Sequence, residues 1–262
     1  MLKAGKLFAK KALVRSIILL QLAVLLSLSV LGQQFNSDSY LSKPHGTITI
    51  IPTVGQRNMM LMNTYSLFPK WEFTMAAFLY NKDSNRSTND GYSSTFYAKY
   101  MFYENNAKTG GFAMKAGTGL FPGLLKGEHT VEDAFQTYWI NAPATIPLFK
   151  NKVSVDLMPG TSVTRDYGTE KSTAWAFTYS ARVAWYPFNP ELSFVGEVFG
   201  AEGEAEAIPE YKLGLRWEPS RYAVFALTYG QEFNGTNGAG FELGVMLFTP
   251  PFACLGGCKT KE

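Results

Sequence analysis

Alternation with a period of two, sustained over stretches of ten residues and more, is the feature that most limits what this chain can become. Between Glu210 and Glu218 the odd positions read Tyr211, Leu213, Leu215 and Trp217, and the even ones include Lys212, Gly214 and Arg216. From Trp175 to Trp185 the odd positions are Trp, Phe, Tyr, Ala, Val and Trp, with Thr178, Ser180 and Arg182 among the even ones. Trp71, Phe73, Met75, Ala77 and Leu79 flank Glu72 and Thr74, and Phe241, Leu243, Val245 and Leu247 flank Glu242 and Gly244. Successive side chains of a strand point to opposite faces, so the pattern specifies strands with one apolar and one polar face. Strand candidates are 47–52, 58–66, 71–80, 92–104, 111–121, 131–142, 153–165, 173–187, 191–201, 210–218, 221–232 and 239–248. Many exceed the roughly 5–6 residues of an average soluble strand and match the roughly 9–11 that a tilted strand needs to cross a bilayer. The first two are the weakest, because Pro52 interrupts one and the other alternates poorly.

Loop lengths carry a second, independent signal. From Trp71 onward, longer polar connections (81–91, 122–130, 166–172, 202–209, 233–238) take turns with short ones (105–110, 149–152, 188–190, 219–220). Short turns on one rim and longer loops on the other are the pattern of an outer-membrane barrel, whereas a soluble sandwich has no reason to show it. Trp71 and Tyr80, Tyr92 and Tyr103, and Trp175 and Trp185-Tyr186 bracket strands, as aromatic girdles would. The reading is all-β: an antiparallel transmembrane β-barrel over 46–248 with about 12 strands, 10 being the alternative. The competing reading has the aromatics filling a soluble β-core.

Five basic residues (Lys3, Lys6, Lys10, Lys11, Arg15) precede an apolar run from Ile17 to Leu31. At 15 residues the run is short of the roughly 20 a spanning helix needs. The pattern predicts a signal peptide, 1–32, cut before Gln33, followed by a linker, 33–45. Without those five cations the 24 basic residues fall to 19 against 21 acidic ones, so a polyanion-binding surface is not indicated and no nucleic-acid partner is expected. Aromatics at 15% and charged residues at 17% exclude disorder for most of the chain.

Four segments carry a family resemblance: Tyr97–Tyr100 with Gly119–Gly123, Pro187–Gly200, Tyr211–Trp217, and Phe241–Val245. Together they resemble the outer-membrane transporter family of the phenol-degradation meta-pathway type. The resemblance implies a barrel of about twelve strands and a role in passing apolar compounds; it supplies no binding residues. Glu242–Thr249 also resembles the last-strand signal read by the barrel-assembly machinery, with Thr249 where an aromatic is expected and thirteen further residues beyond it.

Strand parity sends Glu72, Lys99, Lys115, Asp156, Arg182, Glu197, Lys212, Arg216 and Glu242 to the polar, lumenal face. A hairpin register sets Asp156 opposite Arg182, Glu197 diagonal to Arg182 and close to Lys212 and Arg216, and Glu72 near Lys99, itself diagonal to Lys115. These charges form either a constriction that selects solutes or a salt-bridged plug. His45 and His129 are the chain's two histidines, and His129 stands beside Glu128, Glu132 and Asp133 with no nucleophile singled out. A catalytic or metal-binding role is therefore weakly supported, and no enzyme activity or cofactor is expected. The tail, 249–262, carries Cys254 and Cys258, a disulfide candidate in an oxidising periplasm. The expected function is a passive channel or uptake barrel for small, apolar solutes in the bacterial outer membrane. The alternatives are a closed structural or binding barrel acting through its loops and, more weakly, a lipid-modifying barrel enzyme.

Overall fold

The computed structural model describes residues 37–41, 43–80, 91–120, 135–165, 172–235 and 238–252. The predicted signal peptide, His129, Cys254 and Cys258 lie outside them. The strands are β1 (Ile48–Gly55), β2 (Asn58–Phe68), β3 (Trp71–Tyr80), β4 (Gly91–Glu104), β5 (Gly111–Leu120), β6 (Phe135–Asn141) and β7 (Ala144–Leu148). They continue as β8 (Val153–Leu157), β9 (Gly160–Arg165), β10 (Thr173–Trp185), β11 (Leu192–Gly203), β12 (Ala207–Ser220), β13 (Ala223–Glu232) and β14 (Gly240–Phe248). All pairings are antiparallel, and β14 pairs with β1 as well as β13, which closes the sheet into a barrel.

The wall has twelve staves, because β6 with β7 and β8 with β9 are each one stave broken in the middle. The breaks fall at Ala142-Pro143 and Met158-Pro159, where proline has no N–H to give the ladder. Other bonds span them: Ala113 N–H donates to Pro143 O at 2.9 Å and Ala142 N–H to Pro159 O at 2.8 Å. The expected strand count of twelve holds, and the alternative of ten does not. Pro52 does not end β1. The ladder to β14 jumps from Ile50–Leu247 to Thr53–Gly244, while on the other side Pro52 stays in register with Leu61.

Strand lengths depart from expectation at the acidic segment 202–209. There β11 runs to Gly203 and β12 starts at Ala207, leaving a three-residue connection pinned by Glu204 N–H on Trp175 O at 2.9 Å. Backbone pairing extends past the alternating residues because ladder bonds do not depend on side-chain polarity. A register shift between Phe199 and Ala201 accommodates the extension. The turn expected at 219–220 lies at Arg221-Tyr222 for the same reason.

Antiparallel order sorts the connections onto two rims. One rim carries 56–57, 204–206, 233–235 and 238–239, and the strand ends flanking 81–90, 121–134 and 166–171 point to it, although those three loops are outside the described residues. The other carries 69–70, 105–110, 149–152, 186–191 and 221–222. The last strand ends there too: Phe248 N–H donates to Tyr222 O and Thr249 N–H to Ile48 O, each at 2.9 Å. These are termed the loop rim and the turn rim.

The apolar face looks outward. Leu213 is 58% exposed and Trp175 52%, with Phe177, Val183, Leu215 and Leu243 also exposed and Tyr179 and Val245 half-exposed. So much contiguous apolar surface is abnormal for a domain in water and normal for one in lipid. Aromatic pairs ring the turn rim, Trp71–Tyr100 at 4.8 Å and Trp185–Phe194 at 5.8 Å among them, and Tyr229–Phe241 at 5.0 Å lies toward the loop rim. Leu213→Arg should therefore cost about 2–4 kcal/mol in a urea titration in lipid vesicles. A neutral result would remove Leu213 from the lipid face.

Candidate functional site: the lumen and its N-terminal segment

Few apolar side chains fill the interior. Among the described residues, buried apolar groups form two small clusters, Tyr40–Met101–Ala113 and Ala184–Val195–Ala226. The inward positions hold hydroxyls (Thr49, Thr53, Thr64, Thr74, Ser180, Thr228) and charges.

All nine residues singled out by parity lie on this inner face. Eight are buried, and Arg216 is half-buried. Asp156, Arg182, Glu197 and Lys212 stand side by side on adjacent staves: the ladder pairs Asp156 with Arg182, Arg182 with Glu197, and Glu197 with Lys212. The sequence register has Asp156 right and sets Glu197 diagonal, where the structure makes it directly opposite Arg182. Asp156 Oδ2 accepts from Arg182 Nη2 at 2.7 Å and Nε at 3.0 Å, and its Oδ1 accepts from the Thr145 hydroxyl. Lys212 reaches across β13 to Glu242 at 2.7 Å. Gly230 makes this crossing possible, since a Cβ there would stand 2.9 Å from Lys212 Cγ. Arg216 is not brought to Glu197; its Nε lies 3.1 Å from Glu218 Oε1, and Glu218 also accepts from the Tyr186 hydroxyl.

On the other side of the barrel the row is Glu72, Lys99, Lys115 and Asn141. Glu72 and Lys99 meet at 2.6 Å. Lys99 and Lys115 are directly opposite, not diagonal as the sequence register has them. Like charges so placed repel and destabilise a ladder. Among these nine wall residues there is one more cation than carboxylate, and a further carboxylate, that of Asp38, comes from a segment that carries no strand signal.

That segment is 37–41 with Lys43, within the stretch read from sequence as a linker. Asp38 Oδ1 lies 3.2 Å from Lys99 Nζ and its Oδ2 3.6 Å from Lys115 Nζ. Lys99 Nζ also donates to the carbonyls of Ser39 and Leu41 at 3.3 and 3.0 Å. The Ser37 backbone N–H donates to Glu197, and its hydroxyl to Ser180 at 2.9 Å. Lys43 N–H donates to Glu72 at 2.6 Å. Tyr40 is 2% exposed and lies over Gly111, where a Cβ would come within 2.4 Å of its ring. No periodicity marks these residues. Asp38 is the chain's first acidic residue, and its carboxylate is the only sequence cue that they have a partner inside.

A cavity of about 440 Å³ remains beside the segment. Phe78 and Thr95 line it toward the loop rim, and Thr49, Met246 and Arg216 toward the turn rim. Met60, Met62, Tyr97 and Trp139 give its middle an apolar and aromatic wall. Among the described residues, the hydroxyls of Thr47, Thr49, Thr53 and Ser66 are buried and find no hydrogen-bond partner.

Burial alone would raise the Asp38 carboxyl, but the ammonium groups of Lys99 and Lys115 outweigh it and hold its pKa at about 2, against an ordinary 3.8. A depressed carboxylate stabilises the bound state in full above its free pKa and loses that contribution as pH falls through the bound value. The Asp38 tether should thus be intact above pH 4 and lost as pH falls from about 4 to about 2. Urea titrations at pH 5 and pH 2 would show this: the parent should lose more stability at pH 2 than Asp38→Asn does, and an equal loss in both would contradict it.

His45 Nε2 lies 2.8 Å from Leu67 O at the turn rim. Among the described residues no group of three or more His, Cys, Asp or Glu side chains converges as metal ligands do.

No family model matches the chain, and no curated protein matches it. Solved structures do. The KdgM porin aligns over 77% of this chain and 98% of its own at 10% identity and a TM-score of 0.51. The NanC porin aligns over the same shares at 9% identity and 0.52. The COG4313 outer membrane channel from Pseudomonas putida F1 aligns over 82% of this chain and 99% of its own at 12% identity and 0.51. At such identities the likeness establishes the fold, a closed antiparallel barrel of the kind found in bacterial outer membranes.

Proposed function

We propose that the chain is a passive channel of the bacterial outer membrane, passing small solutes through a lumen that residues 37–41 partly occupy. The observation that carries this reading is the cavity of about 440 Å³, lined by residues near both rims and walled on one side by apolar and aromatic side chains. Three solved neighbours described as porins or channels support the class. Outer-membrane lipid covers the apolar exterior, and the turn rim, where β1 begins and β14 ends, faces the periplasm. Insertion by the barrel-assembly machinery fits the strand signal at Glu242–Thr249. The near-balance of charge around the lumen favours uncharged or weakly charged solutes over strong electrolytes. That agrees with the resemblance to the phenol-degradation meta-pathway transporters without resting on it.

A second reading, a closed barrel that binds through its loops, draws support from the contacts that hold the segment inside. Planar bilayers separate the two. The mature protein should give discrete conductance steps, small for a twelve-stranded barrel. A silent protein that is nonetheless folded, judged by heat-modifiable electrophoretic mobility, would favour the closed barrel.

A further inference from the structure

The group that Asp38 contacts has the composition of a binding site for an organic anion. Glu72 satisfies Lys99 at 2.6 Å, but among the described residues no wall carboxylate is paired with Lys115, which is itself buried. Its charge rests on Asp38 at 3.6 Å and on the faces of Tyr97 and Trp139, 5.3 and 5.6 Å from its Nζ. The other charges facing this cluster are Glu197, Arg182 and Lys43. Glu197 acts on Lys115 across the lumen, yet it sits in register between Arg182 and Lys212. Glu72, Lys99 and Lys115 without Asp38 thus hold one buried positive charge in excess, and a buried charge without a partner is costly. The cavity beside them supplies an apolar wall of Met60, Met62, Tyr97 and Trp139.

We infer that Lys99 and Lys115, with Tyr97 and Trp139, form a subsite for a small aromatic monocarboxylate, and that Asp38 occupies it as a built-in competitor. One negative charge balances the Glu72–Lys99–Lys115 group. Aromatic faces and thioethers contact an aromatic body well. The solute carboxylate takes the place of the Asp38 side chain on the two ammonium groups while Tyr40, wedged against Met101 and Ala113, keeps the segment docked. This assignment rests on the channel reading by naming the solute class for the same lumen.

The test uses full-length mature protein folded in detergent, with benzoate as probe and benzyl alcohol as its uncharged analogue. Asp38→Asn keeps the shape of the side chain and removes the competing charge. Titration calorimetry should show benzoate binding this variant about tenfold or more tighter than the parent, since a competitor that fills the site lowers apparent affinity by the fraction of free sites. Adding Lys115→Met should abolish that gain, and benzyl alcohol should bind parent and Asp38→Asn alike. Equal benzoate affinity in parent and Asp38→Asn, or benzoate binding no tighter than benzyl alcohol in Asp38→Asn, would overturn the subsite, whether or not the Lys115 variant folds. Bilayer recordings on the same samples separate the two claims. Conductance without the benzoate gain leaves a channel and rejects the subsite, whereas the gain without conductance leaves the subsite and rejects the channel.

Discussion

Arg182→Ala should lower resistance to urea unfolding in lipid vesicles by about 3–5 kcal/mol, the largest loss expected of a single substitution in the lumen. Arg182 stands between two carboxylates, Asp156 and Glu197, on neighbouring staves. Asp156 is 2% exposed and takes two bonds from the one guanidinium. Truncating the arginine strands buried negative charge, and that stranding, more than the intrinsic worth of the pair, sets the magnitude. A strongly wet lumen would screen these carboxylates and shrink the loss toward the value below about 1 kcal/mol typical of exposed pairs. The measurement therefore also reports how much water reaches the Asp156–Arg182–Glu197 row. Replacing Asp156 and Arg182 together with apolar residues should recover most of the loss, because neither charge is then left alone.

The contrast between Asp156 and Asp38 shows what the sequence made legible. Asp156 lies in an alternating strand, so parity alone gives its face, and the hairpin to β10 gives its partner. The same logic reaches Glu72, Lys212 and Glu242, each buried on the inner face. It places Glu197 and Lys115 a step off: the β10–β11 ladder is unbroken, so the connection 186–191 alone sets the register of Glu197, while a bulge between Met101 and Tyr103 shifts Lys115, and no side-chain pattern announces either. The breaks at Pro143 and Pro159 are visible in sequence as prolines, yet whether proline ends a stave or only interrupts it depends on neighbouring strands carrying the ladder across. Asp38 sits in no periodic segment. Its role comes from an excess of cations on a wall that exists only once β4 and β5 are paired.

Replacing residues 37–41 with an alternating Gly-Ser sequence of equal length should raise single-channel conductance several-fold while the barrel stays folded. The segment crosses the lumen between the Asp156–Arg182–Glu197 row and the Glu72–Lys99–Lys115 row, with Ser37 bonded to the first and Asp38 to the second. Removing these side chains joins the space they fill to the cavity of about 440 Å³ already beside them. Stability should fall as well. Losing the buried Tyr40 ring costs about 1.5–3 kcal/mol, and uncovering the excess charge of Lys115 adds to it. The wall ladders are untouched, so cooperative unfolding and heat-modifiable mobility should persist. The current carried should also become more anion-selective, since the wall then keeps one unbalanced cation near mid-lumen. Reversal potentials in a salt gradient read this directly. An increase in conductance without any shift toward anions would show that the segment blocks by volume alone, and no increase at all would mean that the constriction lies in the wall itself.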